Sequence, residues 1–320
     1  MQDATRVNEI RKKARARECT VLGDYQSFDV LASSLTSQFR LANLHIMIRS
    51  LAFFATLMLT CVSSFAQSSS TAKTAKASDG VSIYVCGHSF HQFIAEPLAA
   101  LAKEAGMSKH RTAEKFYIGG SNPLQIWDIP DTENPTRAAL RQGNIDILTL
   151  SPNIKMPDKG ITLYADYAIK YNPRVRVMLQ LSWPPNLTGP DTNWAMLPLL
   201  YQVYRLAAES QVQTINRAHE KSFVTLVPVA IAFFKLREKI DAGEVSGISK
   251  VSDLFVDETG HASSALQNLT TYCWFAAVYD KSPEGLTALD SPKTATSADT
   301  NLILQKIAWN VVGKQSVPSR

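Results

Sequence analysis

The chain has 320 residues, of which 45% are hydrophobic and 19% charged, with a formal net charge of +5. That is length enough for one domain with a full apolar core and flanking segments besides. Eight of the 33 basic and five of the 28 acidic residues fall in the first 66, so the excess shrinks to about +2 beyond them. With no basic stripe carrying interleaved aromatics, nothing points to a nucleic-acid partner.

Residues 1–46 precede a segment that ordinarily opens a chain. Residues 47–66 run Met-Ile-Arg-Ser-Leu-Ala-Phe-Phe-Ala-Thr-Leu-Met-Leu-Thr-Cys-Val-Ser-Ser-Phe-Ala. One positive charge, an apolar run and the small-x-small end Ser64-Phe65-Ala66 are the parts of a secretory signal peptide, and the run is short for a spanning helix. The reading is a start codon placed too early, with Met47 the true start, cleavage near Ala66, and an exported protein, periplasmic or extracellular, with no stable membrane insertion after processing. Mass spectrometry of the exported chain should then find its N-terminus near Gln67; intact residues 1–46 would overturn this. The competing reading is a membrane anchor with a basic tail (Arg11, Lys12, Lys13, Arg15, Arg17). Residues 67–79, rich in Ser, Thr, Ala and Lys, have nothing to bury and are expected as a disordered linker. Residues 80–320 form the working domain.

Strand-like runs are expected at 81–86, 115–118, 145–150, 174–182 and 222–229. The last three are continuously apolar, as strands covered on both faces are. Helical periodicity falls near 91–105, 136–142, 159–171, 194–218, 230–242, 262–279 and 300–312, with a polar loop around 286–299. Strands alternating with helices imply right-handed crossovers and a parallel sheet between two helical layers. The fold class is therefore α/β, a three-layer α/β/α sandwich on a mainly parallel five-stranded sheet. Cys86 and Cys273 fall in the working domain; they are expected as two buried free thiols, a single disulfide being the alternative. No Cys-x-x-Cys or His-x-x-x-His spacing suggests a structural metal.

Ligands of such sheets bind beyond the carboxyl ends of the strands. There the chain carries Gly87-His88-Ser89, then Gly119-Gly120-Ser121-Asn122, then Ser151-Pro152-Asn153, and late on Asp257-Glu258-Thr259-Gly260-His261. A serine hydroxyl becomes a nucleophile when a base takes its proton, and histidine serves if a carboxylate fixes its tautomer. The developing oxyanion needs donors held in place: a glycine N–H, an asparagine amide, the serine's own N–H. The other readings are structural. Ser89 could cap the following helix, Gly119 and Gly120 could permit a turn, and Asn153 could be a turn residue after Pro152. Asp257 and Glu258 could be a solvated loop. His88 and His91 could be bystanders, or metal ligands with a distant carboxylate. Trp127, Trp183 and Trp194 could stack on a sugar ring or pack in the core. Asn186 and Asn268 head glycosylation-type triplets.

This ordered set resembles the SGNH (GDSL-like) hydrolase superfamily over roughly residues 81–280. Gly87-His88-Ser89 is similar to its first block, making Ser89 the nucleophile; Gly119 or Gly120 matches the second block's glycine, Asn153 the third block's asparagine and His261 the fifth block's histidine. His88 stands where the family has Asp or Asn, and Ser151 where it has glycine. The family's acid spacing lands on Glu258, whereas Asp257 lies four residues before His261; Asp257 is favoured because aspartate is the family habit. The resemblance implies a serine esterase with no cofactor and no metal. Its substrate would be a small-molecule or carbohydrate ester, an O-acetyl group foremost, with lipid esters and thioesters as alternatives. The rival class is a non-catalytic module of the same fold that binds glycan or protein. A flavodoxin-like flavin binder shares the architecture, but this chain shows no phosphate-cradling Ser/Thr/Gly-rich loop after the first strand.

Overall fold

Side chains alternate across a strand, and in this protein the alternation assigns each helix to a side. The computed structural model describes residues 79–185, 187, 193–290 and 296–313, all within one compact unit spanning Thr74–Arg320. The proposed leader, its upstream extension, all but the last residue of the linker, and Asn186 lie outside the described residues.

Five strands form one all-parallel sheet: β1 (Ser82–Gly87), β2 (Arg111–Tyr117), β3 (Ile147–Leu150), β4 (Arg176–Gln180) and β5 (Val224–Val227), in the order β2-β1-β3-β4-β5. Among the described residues eight α-helices connect and cover it: α1 (Ala95–Glu104), α2 (Pro123–Trp127), α3 (Pro135–Arg141), α4 (Lys159–Tyr171), α5 (Leu197–Ala218), α6 (Val229–Asp241), α7 (Ser264–Tyr279) and α8 (Ala298–Val312). Ile83 and Val85 of β1 point into a core shared with α1, α6, α7 and α8. Tyr84 and Cys86, the residues between and after them, point into the opposite core with residues of α2 to α5. The three-layer α/β sandwich is thus the observed fold.

β1, β3 and the inner part of β4 are wholly buried, as their apolar runs require. β2 is an edge strand whose Arg111, Glu114 and Lys115 are exposed. It therefore begins four residues earlier than the apolar pattern at 115–118, because an edge strand needs no apolar run on its open side. α7 is apolar all round and buried all round, the mark of a central helix: Leu266, Leu269, Tyr272, Cys273, Trp274 and Phe275 are each 1% exposed or less. Asn268 is buried within it and donates its amide to Asn301 Oδ1 at 3.0 Å, so that glycosylation-type triplet is occupied by packing.

Cys86 and Cys273 are both buried and unpaired. They belong to cores on opposite sides of the sheet, so the backbone separates the two thiols. No helix among the described residues is long and apolar enough to cross a membrane.

From β1 the chain steps outward to β2, then returns past β1 to β3 and continues to β4 and β5. The direction of winding therefore reverses between β1 and β3. At such a reversal neighbouring crossovers leave on opposite faces and a crevice opens beyond the strand ends. Residues 88–91 and 151–153 flank that crevice.

Candidate active site

Ser89 stands two residues beyond β1 on a tight turn in which the His91 and Gln92 N–H groups both donate to the His88 carbonyl, at 3.0 and 3.1 Å. A 3-10 turn at Gln92–Ile94 separates it from α1, whose N-cap position is Ile94 without any side-chain cap. Ser89 is therefore not the helix cap. Its hydroxyl lies 2.8 Å from His261 Nε2, across 172 residues of chain.

His261 and its acid share one short hairpin. Phe255 and Ala262 form an antiparallel bridge, closed by Val256 N–H to His261 O at 2.9 Å and Ser263 N–H to Leu254 O at 2.8 Å. The turn between them, Asp257 to Gly260, closes with Gly260 N–H donating to the Asp257 carbonyl at 3.1 Å. It requires φ of +93° at Gly260, a conformation cheap only for glycine. The Asp257 side chain folds back over this turn. Oδ1 accepts the Gly260 and His261 N–H groups, both at 3.1 Å, and Oδ2 meets His261 Nδ1 at 2.6 Å. Desolvation works against ionisation of Asp257, but the hydrogen bonds from His261 and the two amides outweigh it and hold the carboxyl below its usual range. An ionised carboxylate only accepts, so the His261 proton sits on Nδ1 and the Nε2 lone pair faces the Ser89 hydroxyl. Of the two carboxylates considered from the sequence, the one on Nδ1 is Asp257. Glu258, the next residue, is exposed.

The expected oxyanion donors are found as follows. Ile118 N–H donates to the Gly87 carbonyl at 3.1 Å, which ties the turn carrying Gly119 and Gly120 to the end of β1. Gly120 has φ of +66°, and a Cβ on Gly119 would meet nothing within 4 Å. Asn153 turns its Oδ1 toward its own chain, accepting Ile154 N–H at 2.7 Å, which leaves the NH₂ end turned away. Among the described residues the N–H groups of Ser89, Gly119 and Gly120 and the Asn153 amide nitrogen all lack a protein partner. Donors in that state are what an incoming oxyanion requires.

Beneath Ser89 lies a polar network absent from the sequence-based expectations, which left His88 and His91 as bystanders or metal ligands. His91 Nδ1 meets Gln180 Oε1 at 2.9 Å, and its Nε2 meets Thr149 Oγ1 at 2.7 Å. Trp274 Nε1, a donor only, also donates to Gln180 Oε1 at 2.7 Å. That fixes the Gln180 amide, makes His91 the Nδ1–H tautomer and leaves its Nε2 to accept the Thr149 hydroxyl. Burial pushes the His91 imidazole down to about 3 and that of His88 to about 4, so both stay neutral. Both nitrogens of each ring are taken by protein groups, which leaves no lone pair for a metal. Among the described residues no group of three or more His, Cys, Asp or Glu side chains could hold one. The signal that could have found this network is Gln180, a polar side chain inside an otherwise apolar central strand.

The tryptophans divide by surroundings. Trp183, 1% exposed, stacks on Phe90 with ring centroids 5.1 Å apart, and its Nε1 donates to the Gly260 carbonyl at 3.0 Å. Phe90 in turn meets the His261 ring edge-on at 5.4 Å. Trp183 is thus core packing that fastens the hairpin of Asp257 and His261 to the turn of Ser89. Trp127 packs on Tyr164 and Tyr167 beneath Arg137, and Trp194 lies under Arg237.

Among solved structures the chain is similar to a DUF4886 family protein from Bacteroides uniformis ATCC 8492, with 14% identity and a TM-score of 0.51 over 75% of this chain and 98% of that one. It also matches a protein described as a candidate SGNH hydrolase from Slackia heliotrinireducens (16% identity, TM-score 0.38, 60% of this chain and 95% of that). A third match is a family 3 carbohydrate esterase from Clostridium thermocellum (16% identity, TM-score 0.33, 47% and 79%). At these identities the likeness is one of fold. No family model matches the chain, and no curated protein does.

Proposed function

We propose that this protein is a serine ester hydrolase of SGNH type, with Ser89 as nucleophile, His261 as base and Asp257 as the acid that orients it. The observation that carries the reading is the continuous relay from Asp257 Oδ2 to His261 Nδ1 at 2.6 Å and from His261 Nε2 to Ser89 Oγ at 2.8 Å. A surface histidine paired by chance would not meet, on its free nitrogen, the hydroxyl on the turn leaving the first strand.

In the proposed reaction His261 takes the Ser89 proton as Oγ attacks the ester carbonyl carbon. The oxyanion is held by the N–H groups of Ser89 and of Gly119 or Gly120, with the Asn153 amide. The C–O bond to the alcohol breaks, and His261 returns its proton to the leaving oxygen. Water, deprotonated by the same imidazole, then cleaves the acyl-enzyme and restores the Ser89 hydroxyl. The Asp257 carboxylate stays ionised throughout and stabilises the transient imidazolium. The substrate class carried over from the family is an O-acetyl ester on a carbohydrate.

The test is covalent labelling with a fluorophosphonate probe. The wild-type chain should label and Ser89→Ala should not, with 4-nitrophenyl acetate hydrolysis lost in parallel. A folded wild-type chain inert to both reagents would leave a binding module in place of an enzyme.

A further inference from the structure

Two of the positions at which the chain departs from the SGNH pattern, His88 and Ser151, are bonded to each other: His88 Nε2 lies 2.9 Å from Ser151 Oγ. Which atom donates follows from the far side of the ring. Phe90 N–H, a group that can only donate, points at His88 Nδ1 from 3.2 Å, so that nitrogen carries the lone pair and the proton is on Nε2. His88 therefore donates to Ser151, and Ser151 is not activated by it. The geometry is no second nucleophile–base pair: the imidazole already holds its proton, and Ser151 is fully buried.

The bonds continue into a closed ring. Ser151 Oγ lies 3.4 Å from Ser182 Oγ, Ser182 Oγ accepts from Gln180 Nε2 at 2.8 Å, and the second hydrogen of that nitrogen goes to the Phe90 carbonyl at 2.8 Å. The ring starts at the N–H of Phe90 and ends at its C=O, having visited the segments that follow β1, β3 and β4. It encloses the residue next to Ser89 and takes hold of the turn Ser151-Pro152-Asn153 through Ser151. Every member is buried. Polar groups there are costly unless all are satisfied, and once satisfied they specify one arrangement.

We propose that His88 is a positioning residue: by donating to Ser151 it registers the turn that carries the Asn153 amide against the turn that carries the Ser89 nucleophile. The proposal rests on the hydrolase reading above and adds to it how the oxyanion donor is aimed.

The experiment measures kcat and KM for 4-nitrophenyl acetate on the full chain and its variants Ser151→Ala, Asn153→Ala and the double variant, with thermal unfolding as a check on folding. Removing one oxyanion donor typically lowers kcat by about 10²–10³. Asn153→Ala should show a loss of that order, and Ser151→Ala a loss of about 10-fold or more, each with KM little changed. The double variant should be no slower than Asn153→Ala, because Ser151 acts only through that amide. His88→Asn, which still offers an acceptor to Phe90 N–H but cannot span to Ser151, should behave as Ser151→Ala does and should not add to it. A purely structural role would instead lower the melting temperature and slow the Asn153→Ala background as much as the wild type. Additive losses, or a Ser151→Ala variant as fast as wild type, would overturn the proposal even if His88→Asn failed to fold. An inert wild-type chain would be recognised separately, as failure of the hydrolase reading and of this proposal with it.

Discussion

Asp257 carries the relay because of where a four-residue turn puts it. Its short side chain accepts two backbone N–H groups of its own turn and still brings Oδ2 to 2.6 Å from the imidazole Nδ1, an arrangement that holds carboxylate and ring as one unit. The family spacing that favoured Glu258 presumes a different loop; here the bridge between Phe255 and Ala262 sets the count. Asp257→Asn should lower kcat by about 10²–10⁴, since an amide can present its NH₂ to Nδ1 and select the wrong tautomer. Glu258→Gln should leave kcat near that of the wild type. Steady-state kinetics on the two variants decides the matter, and equal losses would remove Asp257 from the role given to it. The choice between these two residues could not be made from sequence, since it turns on hydrogen bonds local to a hairpin that no periodicity marks.

At the scale of the elements, β1 and its exit turn are packed to the limit. A Cβ on Gly87 would come within 3.0 Å of both His91 Cδ2 and Ser151 Cβ. Gly87→Ala should therefore cost about 1–3 kcal/mol by overpacking and displace the two side chains that brace the nucleophile turn. Denaturant unfolding should show the first effect and a fall in kcat the second; unchanged values of both would contradict the packing described. The glycine at 87 is thus explained sterically, by neighbours contributed by the turn that follows β1 and by the residue just after β3. The central strands and the longer helices were legible because burial on both faces writes itself as apolar runs, and one-sided burial as helical periodicity. β2 was half legible, since Arg111 to Glu114 lie on an open edge where burial selects nothing. α2 left no periodic trace in its five residues, yet Asn122 with Pro123 and Gln125 is a capping box that could have revealed it. Three of the site segments were found because they follow strands and the fourth, Asp257 to His261, because it precedes the last long helix pattern; the network joining them was not, because contacts among residues 88, 151, 180 and 182 depend on strand order, and the order β2-β1-β3 was not deduced.

For the molecule as a whole, the buried imidazoles set its response to acid. The ordinary histidine pKa is near 6.5, whereas His88 titrates at about 4 and His91 at about 3 when folded, in both cases chiefly through desolvation. The unfolded chain therefore binds protons that the folded chain refuses as pH falls below about 6.5. Their contribution to stability is intact above that value and is lost progressively on acidification, at up to about 1.4 kcal/mol per pH unit for each ring. His110, shifted the same way by burial, adds to the slope. Denaturant titrations at pH 7 and pH 5, above the range where carboxylates protonate, should show a clear drop, and His88→Asn should flatten it. Equal stability at the two values would mean that these rings are charged or hydrated in the folded protein.

The hairpin that holds Asp257 and His261 has a further consequence. Two of the three groups in the proposed triad travel on a single ten-residue strip of chain, and only the third arrives from a distant part of the fold. Loosening the seam fastened by Trp183 and Phe90 would part the alcohol from its base while leaving the acid and imidazole still clasped. On the proposed hydrolase reading, turnover would then cease at a stroke, before the sheet itself had begun to come apart.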